Sequence, residues 1–215
     1  FQDWTAADAN EQAILDQEAE REEPYRLLSF RRNGQDVHPA LHGIELAAGH
    51  HPNDLSRYRE LIGMVGSGLP MNLLDEDIRR LLNVEYILWP DYLFGQSLGD
   101  LSVLSRTQLQ DGTPYETVHR VRSLPRARLV GSATVKQDAE AVGYMLSSDF
   151  DPVREVVLAE PPPIPLDGEP VTGSVVWQER TINRQVLSVS SDLPALLVIS
   201  DNWFPAWRAN IDGID

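Results

Sequence analysis

Cysteine is absent from the 215 residues, which excludes a disulfide framework and a thiolate metal site but leaves the redox compartment open. Lysine is nearly absent. Lys136 is the single one, and arginine supplies the rest of the 18 basic residues. No apolar run approaches the ~20 residues that span a bilayer. No charged n-region followed by an apolar h-region is seen at Phe1. Also missing are a Gly-x-Ser-x-Gly nucleophile elbow, a phosphate loop, a dinucleotide fingerprint and any repeat of ~20–50 residues.

Acid is what the chain has in excess: 33 Asp and Glu give a net charge of −15. That field repels nucleic acid and anionic lipid, so neither is an expected partner. Two origins fit the bias. An acidic, lysine-poor surface suits high salt, where ions screen self-repulsion. A GC-rich genome favours arginine codons and accounts for the arginine without any such habitat.

Hydrophobic periodicity and breakers divide the chain. Thr5 with Asp8 reads as a capping-box variant opening a helix to about Glu20. A strand is expected over Tyr25–Phe30, a turn at Arg31-Arg32-Asn33-Gly34, and a short helical turn around Pro39–Gly43. Asn53 or Asp54 should cap a helix that Gly66-Ser67-Gly68 stops, and Asp75 a shorter helix. Val84–Trp89 reads as a strand ended by Pro90, and strands follow near Leu101–Leu109, Tyr115–Val121 and Ala127–Val135. A helix from Gln137-Asp138 and a strand over Val153–Leu158 lead to Glu160-Pro-Pro-Pro-Ile-Pro165, a stiff, linker-like run. Beyond it the chain reads as β only: Gly173–Arg180, Arg184–Ser190, Ala195–Ser200 and Ala206–Ile211. The expected fold is α+β, with a mixed α/β lobe over residues 1–160 and an antiparallel β-sandwich-like lobe over 161–215.

The most informative stretch is Leu197-Val-Ile-Ser-Asp-Asn-Trp-Phe-Pro-Ala-Trp-Arg-Ala-Asn-Ile-Asp-Gly213. An apolar strand enters a polar-aromatic corner, and an Asp212-Gly213 hairpin signal follows. No returning strand is visible before Asp215, so a piece of a longer protein is expected. The corner resembles a segment near the C-terminus of YfhO-like bacterial membrane proteins, polytopic proteins similar to GT-C glycosyltransferases. Further segments resemble the same family in order: Gly49-His50-His51-Pro52 with Arg57-Tyr58, departing at His50 where tyrosine is usual; Leu81-Leu82-Asn83-Val84-Glu85-Tyr86-Ile87-Leu88; Leu124-Pro125-Arg126-Ala127; and Phe150-Asp151-Pro152 with Val156-Val157-Leu158. The likeness runs from about Tyr25 to Gly213. It implies a soluble region outside the cytoplasm, carried by a parent with many transmembrane helices. It also implies that the catalytic acid of such enzymes lies in an early membrane-proximal loop not contained here.

Candidate chemistry follows from residue types. Asp201, Asn202, Trp203 and Arg208 offer a flat aromatic beside carboxylate, amide and guanidinium, which is what a sugar's C–H face and hydroxyl rim require. The competing reading is structural, with Trp207 as a core residue on a face shared with Ala209 and Ile211 and Trp203 as the exposed one. Histidines 38, 42, 50 and 51 could bind zinc, but Pro39 argues against a helical His38/His42 pair, so no metal or cofactor is expected. Asp149 and Asp151 could be a carboxylate pair, yet a turn explains them. No catalytic residue is assigned. The expected function is a non-catalytic extracytoplasmic module that helps its parent bind a glycan or lipid-linked acceptor, with the parent's own transmembrane region as neighbour. A purely structural docking domain and a free glycosidase are the alternatives.

Overall fold

Asp8, rather than Thr5, caps the first helix, α1 (Ala9–Gln17). Its carboxylate accepts from the Asn10 and Glu11 amides while Glu11 reaches back to the Asp8 amide, so the capping box is Asp8 with Glu11. The computed structural model describes residues 5–49, 55–64, 68–95, 101–203 and 205–214.

A four-stranded sheet forms the centre. Strand β1 (Arg26–Ser29) pairs in parallel with β2 (Val84–Trp89). Beyond β2 lie β4 (Pro114–Arg120) and then β3 (Ser102–Gln108), both antiparallel to their neighbours. β1 and β2 are buried along their whole length, which requires a near-continuous apolar run with cover on both faces. Leu28, Ile87 and Trp89 pack with Ile62 of α2 (Ser56–Ile62) and Ile78 of α3 (Glu76–Leu81). Leu27, Tyr86 and Leu88 pack with Ile14 of α1 and Ile44. Asp75 caps α3 as expected, and a short α4 (Asp91–Phe94) follows Pro90. The α2 helix stops at Gly63, earlier than expected. The φ there is +69°, and a Cβ would fall 2.7 Å from the Asn72 side chain. The expected cap at Asn53 or Asp54 and the stop at Gly66-Ser67 lie outside the described residues.

The Ala127–Val135 stretch is two strands. β5 (Ala127–Val130) and β6 (Ser132–Val135) are separated at Gly131, whose Cβ, if present, would lie 2.2 Å from the Glu169 carbonyl oxygen. There the chain changes partner. β6 pairs in parallel with β7 (Glu155–Leu158), after the intervening helix α5 (Asp138–Met145). β5 waits for β10 (Leu196–Ile199), with which it is antiparallel. The remaining ladder is the β8 (Gly173–Arg180) and β9 (Gln185–Ser191) hairpin. It lies over β5 closely enough that a Cβ on Gly173 would meet Leu129.

The fold is therefore α+β, with mixed and antiparallel sheets. Pro161, Pro163 and Pro165 are exposed. The chain beyond them nevertheless returns to the first part, since the β5–β10 ladder joins residues from both sides of 160. No strand forms over Ala206–Ile211. Ile211 bridges only Ile214, across a turn with positive φ at Asp212 and Gly213. The inward face expected of Trp207, Ala209 and Ile211 is absent: Trp207 is half-buried and the other two are exposed. A strand's alternation imposes an inside only where a ladder partner holds it, and this segment has none among the described residues. No helix among the described residues is long and apolar enough to cross a membrane.

Candidate functional site

The corner begins where β10 ends. The Ser200 amide donates to the Arg126 carbonyl at 2.8 Å and its hydroxyl to the Leu81 carbonyl at 2.7 Å. The Asp201 carboxylate accepts from Arg26 at 2.9 Å, Arg126 at 2.7 Å and Gln185 at 2.6 Å. Burial acts to raise the Asp201 carboxyl, but the Gln185 and Arg126 hydrogen bonds and the two guanidinium charges outweigh it and hold the carboxyl below its ordinary range. Arg126 is fully buried; it also donates to Asn83 and pairs with Glu45, which in turn meets Arg180. Arg26 is pushed down by burial and by the charge of Arg126. Removing one member of such a network leaves a buried charge uncompensated, which is why it fixes the corner so firmly.

Segments far apart in sequence meet here: Arg26 opens β1, Asn83 precedes β2, Arg126 precedes β5, Gln185 opens β9 and Asp201 follows β10. The arginines and Gln185 are partners that sequence reading missed. The visible signal was an arginine at the start of two apolar strands, Arg26 as the first residue of β1 and Arg126 immediately before β5.

Beyond Asp201 the chain opens to solvent. Asn202 is exposed and Trp203 is 71% exposed, while Phe204 lies outside the described residues. Arg208 is exposed and donates to the carbonyls of Pro205 and Trp207, at 2.9 and 3.0 Å. The four expected site residues thus divide. Asp201 is committed to protein partners, while Asn202, Trp203 and Arg208 face outward.

A cleft of about 560 Å³ lies between β5 and β8, with Arg128 and Trp177 in its lining. Burial, with no carboxylate paired to it among the described residues, pushes the Arg128 guanidinium down to about 10, so it stays charged at neutral pH. It donates to the Pro152 carbonyl and the Ser200 hydroxyl, and its Nη2 is buried without a partner among the described residues.

A second cluster gathers at the opposite end of β1. The turn over His38–His42 is a 3₁₀ helix with Pro39 in its first turn. Proline is well tolerated at that position, since its missing N–H has no intrahelical acceptor there. The expectation that Pro39 argues against a helical His38/His42 pair is therefore corrected: both lie on this one 3₁₀ helix with ring centroids 5.2 Å apart, and the His38 Nδ1 is 2.8 Å from Oε1 of the fully buried Glu11. His50 and His51 lie outside the described residues. Asp151 accepts from the Val153 amide at 2.9 Å, as a turn residue does.

Comparison with protein-family models, with curated proteins and with solved structures found no match.

Proposed function

We propose that this chain is a non-catalytic extracytoplasmic module of a YfhO-like, glycosyltransferase-like membrane protein, and that it helps hold a glycan or lipid-linked acceptor. The observation that carries the reading is Trp203, open to solvent two residues beyond an aspartate pinned by three partners. An exposed indole contributes little to folding, whereas a rigidly based one offers a flat face to a sugar ring. Asn202 and Arg208 supply polar groups at its rim. Asp201 serves as the anchor. The nearby cleft, lined by Trp177 with Arg128 and Glu23, offers a second aromatic face with polar groups beside it.

The test is titration of the chain with a glycan panel, beside melting curves. Trp203→Ala should weaken binding at least tenfold with an unchanged melting temperature. Asp201→Asn should lower both together. Absence of binding by the parent chain, or full binding by Trp203→Ala, removes the reading. A docking domain is the second reading, favoured by the exposed Ile211 and Ile214 near the same corner. It predicts that Ile211→Asp abolishes association with the parent's membrane region and leaves glycan titrations unaltered.

A further inference from the structure

We propose that Glu11, His38 and His42 form a binding site for one divalent first-row transition ion, with zinc as the reference ion. One ligand atom from each residue lies within 4.8 Å of the others. Two imidazoles and a carboxylate are a donor set that zinc accepts, with a further position left for water. His38 and His42 are only partly buried, so that position can face solvent. Tetrahedral ligands with bonds of ~2.0–2.1 Å sit ~3.3 Å apart. The set therefore needs only a closing movement of rotamer size.

Two observations go beyond mere proximity. The first is His42. A hydrogen bond to Glu11 accounts for His38, but the Nε2 of His42 is inaccessible to solvent and has no partner among the described residues. A buried polar nitrogen without a partner is costly and calls for an explanation, and a metal bond supplies one. The second is charge. Arg31 is the guanidinium of this region and faces four carboxylates: Asp8 at 2.6 Å, Glu11 at 3.4 Å, Asp36 at 3.9 Å, and Glu116, whose Oε1 is 2.9 Å from Nε. Glu11, Asp36 and Glu116 are all buried. Among the described residues, one guanidinium against four carboxylates, with His38 neutral, leaves a deficit that a dication would offset. The outer contacts also suit a ligand role. The Asp8 amide and Arg31 hold the Glu11 carboxylate, and the His38 amide donates to Asp36 at 3.2 Å, as second-shell groups do.

The experiment is titration of the untagged, EDTA-dialysed chain with Zn²⁺ alone by calorimetry, with Co²⁺ as a spectroscopic probe. The expected result is one equivalent bound at micromolar or tighter affinity and visible d–d bands from cobalt. His42→Ala removes no side-chain hydrogen bond found among the described residues, so its circular dichroism should match the parent. Its zinc affinity should fall by more than the ~10–100-fold that loss of an outer-shell partner costs. The double variant His50→Ala/His51→Ala should bind as the parent does. The proposal is overturned if no zinc binds, if His42→Ala binds undiminished, or if only the double variant loses binding. The first of these outcomes would leave His38 and Glu11 as a hydrogen-bonded pair alone.

Discussion

His119 shows how a single buried side chain can set a pH response. It lies on β4, buried, with its Nδ1 unpartnered among the described residues. Burial holds its imidazole below the ordinary 6.5, against a backbone hydrogen bond with Leu101 and the charge of Asp91, which pull upward. The folded state therefore favours the neutral ring. As pH falls through about 6.5 the unfolded chain takes up this proton first, and folding stability declines; above that pH the contribution is fully present. The expected measurement is a denaturant midpoint that drops between pH 7 and pH 5. His119→Gln should flatten this part of the profile, and an identical slope in the variant would assign the pH response to other groups.

Gly131 sets the behaviour of an element. The strand it interrupts passes so close to Glu169 that a Cβ would collide with a backbone carbonyl and with Val171. Gly131→Ala should destabilise the chain by ~1–3 kcal/mol, the usual cost of forced overpacking, read as a lower denaturant midpoint. Gly143, where a Cβ would meet nothing within 4 Å, is the control site. The sequence showed an apolar run over 127–135 but not its division, because the cause lies in residues 169–171. The same limit applied at the candidate site. Trp203's exposure was legible from its polar neighbours and the following Pro205, both local. The commitment of Asp201 was not, because Arg26, Arg126 and Gln185 are brought to it by three different strands. Strands β1, β2, β7 and β10 were legible because each has an apolar run bounded by breakers. Ala206–Ile211 misled because alternation alone cannot supply a ladder partner. At His38–His42 the proline was weighed as a helix breaker, although its place in the first turn makes it harmless.

At the scale of the whole molecule, charge dominates. A net charge of −15 on 215 residues opposes compaction, and salt weakens that opposition as the screening length falls from ~10 Å at 0.1 M to ~3 Å at 1 M. If the acidity serves a saline habitat, the melting temperature should climb steeply from low salt to molar potassium chloride. A flat curve would point instead to codon usage. The many buried ion pairs, such as those of Arg31 and Arg126 with their carboxylates, should be less sensitive than the surface.

The late pairing of β5 with β10 bears on synthesis. Ala127–Val130 leaves the ribosome well before Leu196–Ile199 is made, and until then β5 lacks the one ladder partner it has among the described residues. Long-range pairing is slow to form and leaves an edge open to other chains meanwhile. The nascent protein thus passes through a window in which β5 is made but unpaired. Expression yield should respond to translation speed across residues 131–195 more than to speed anywhere before them.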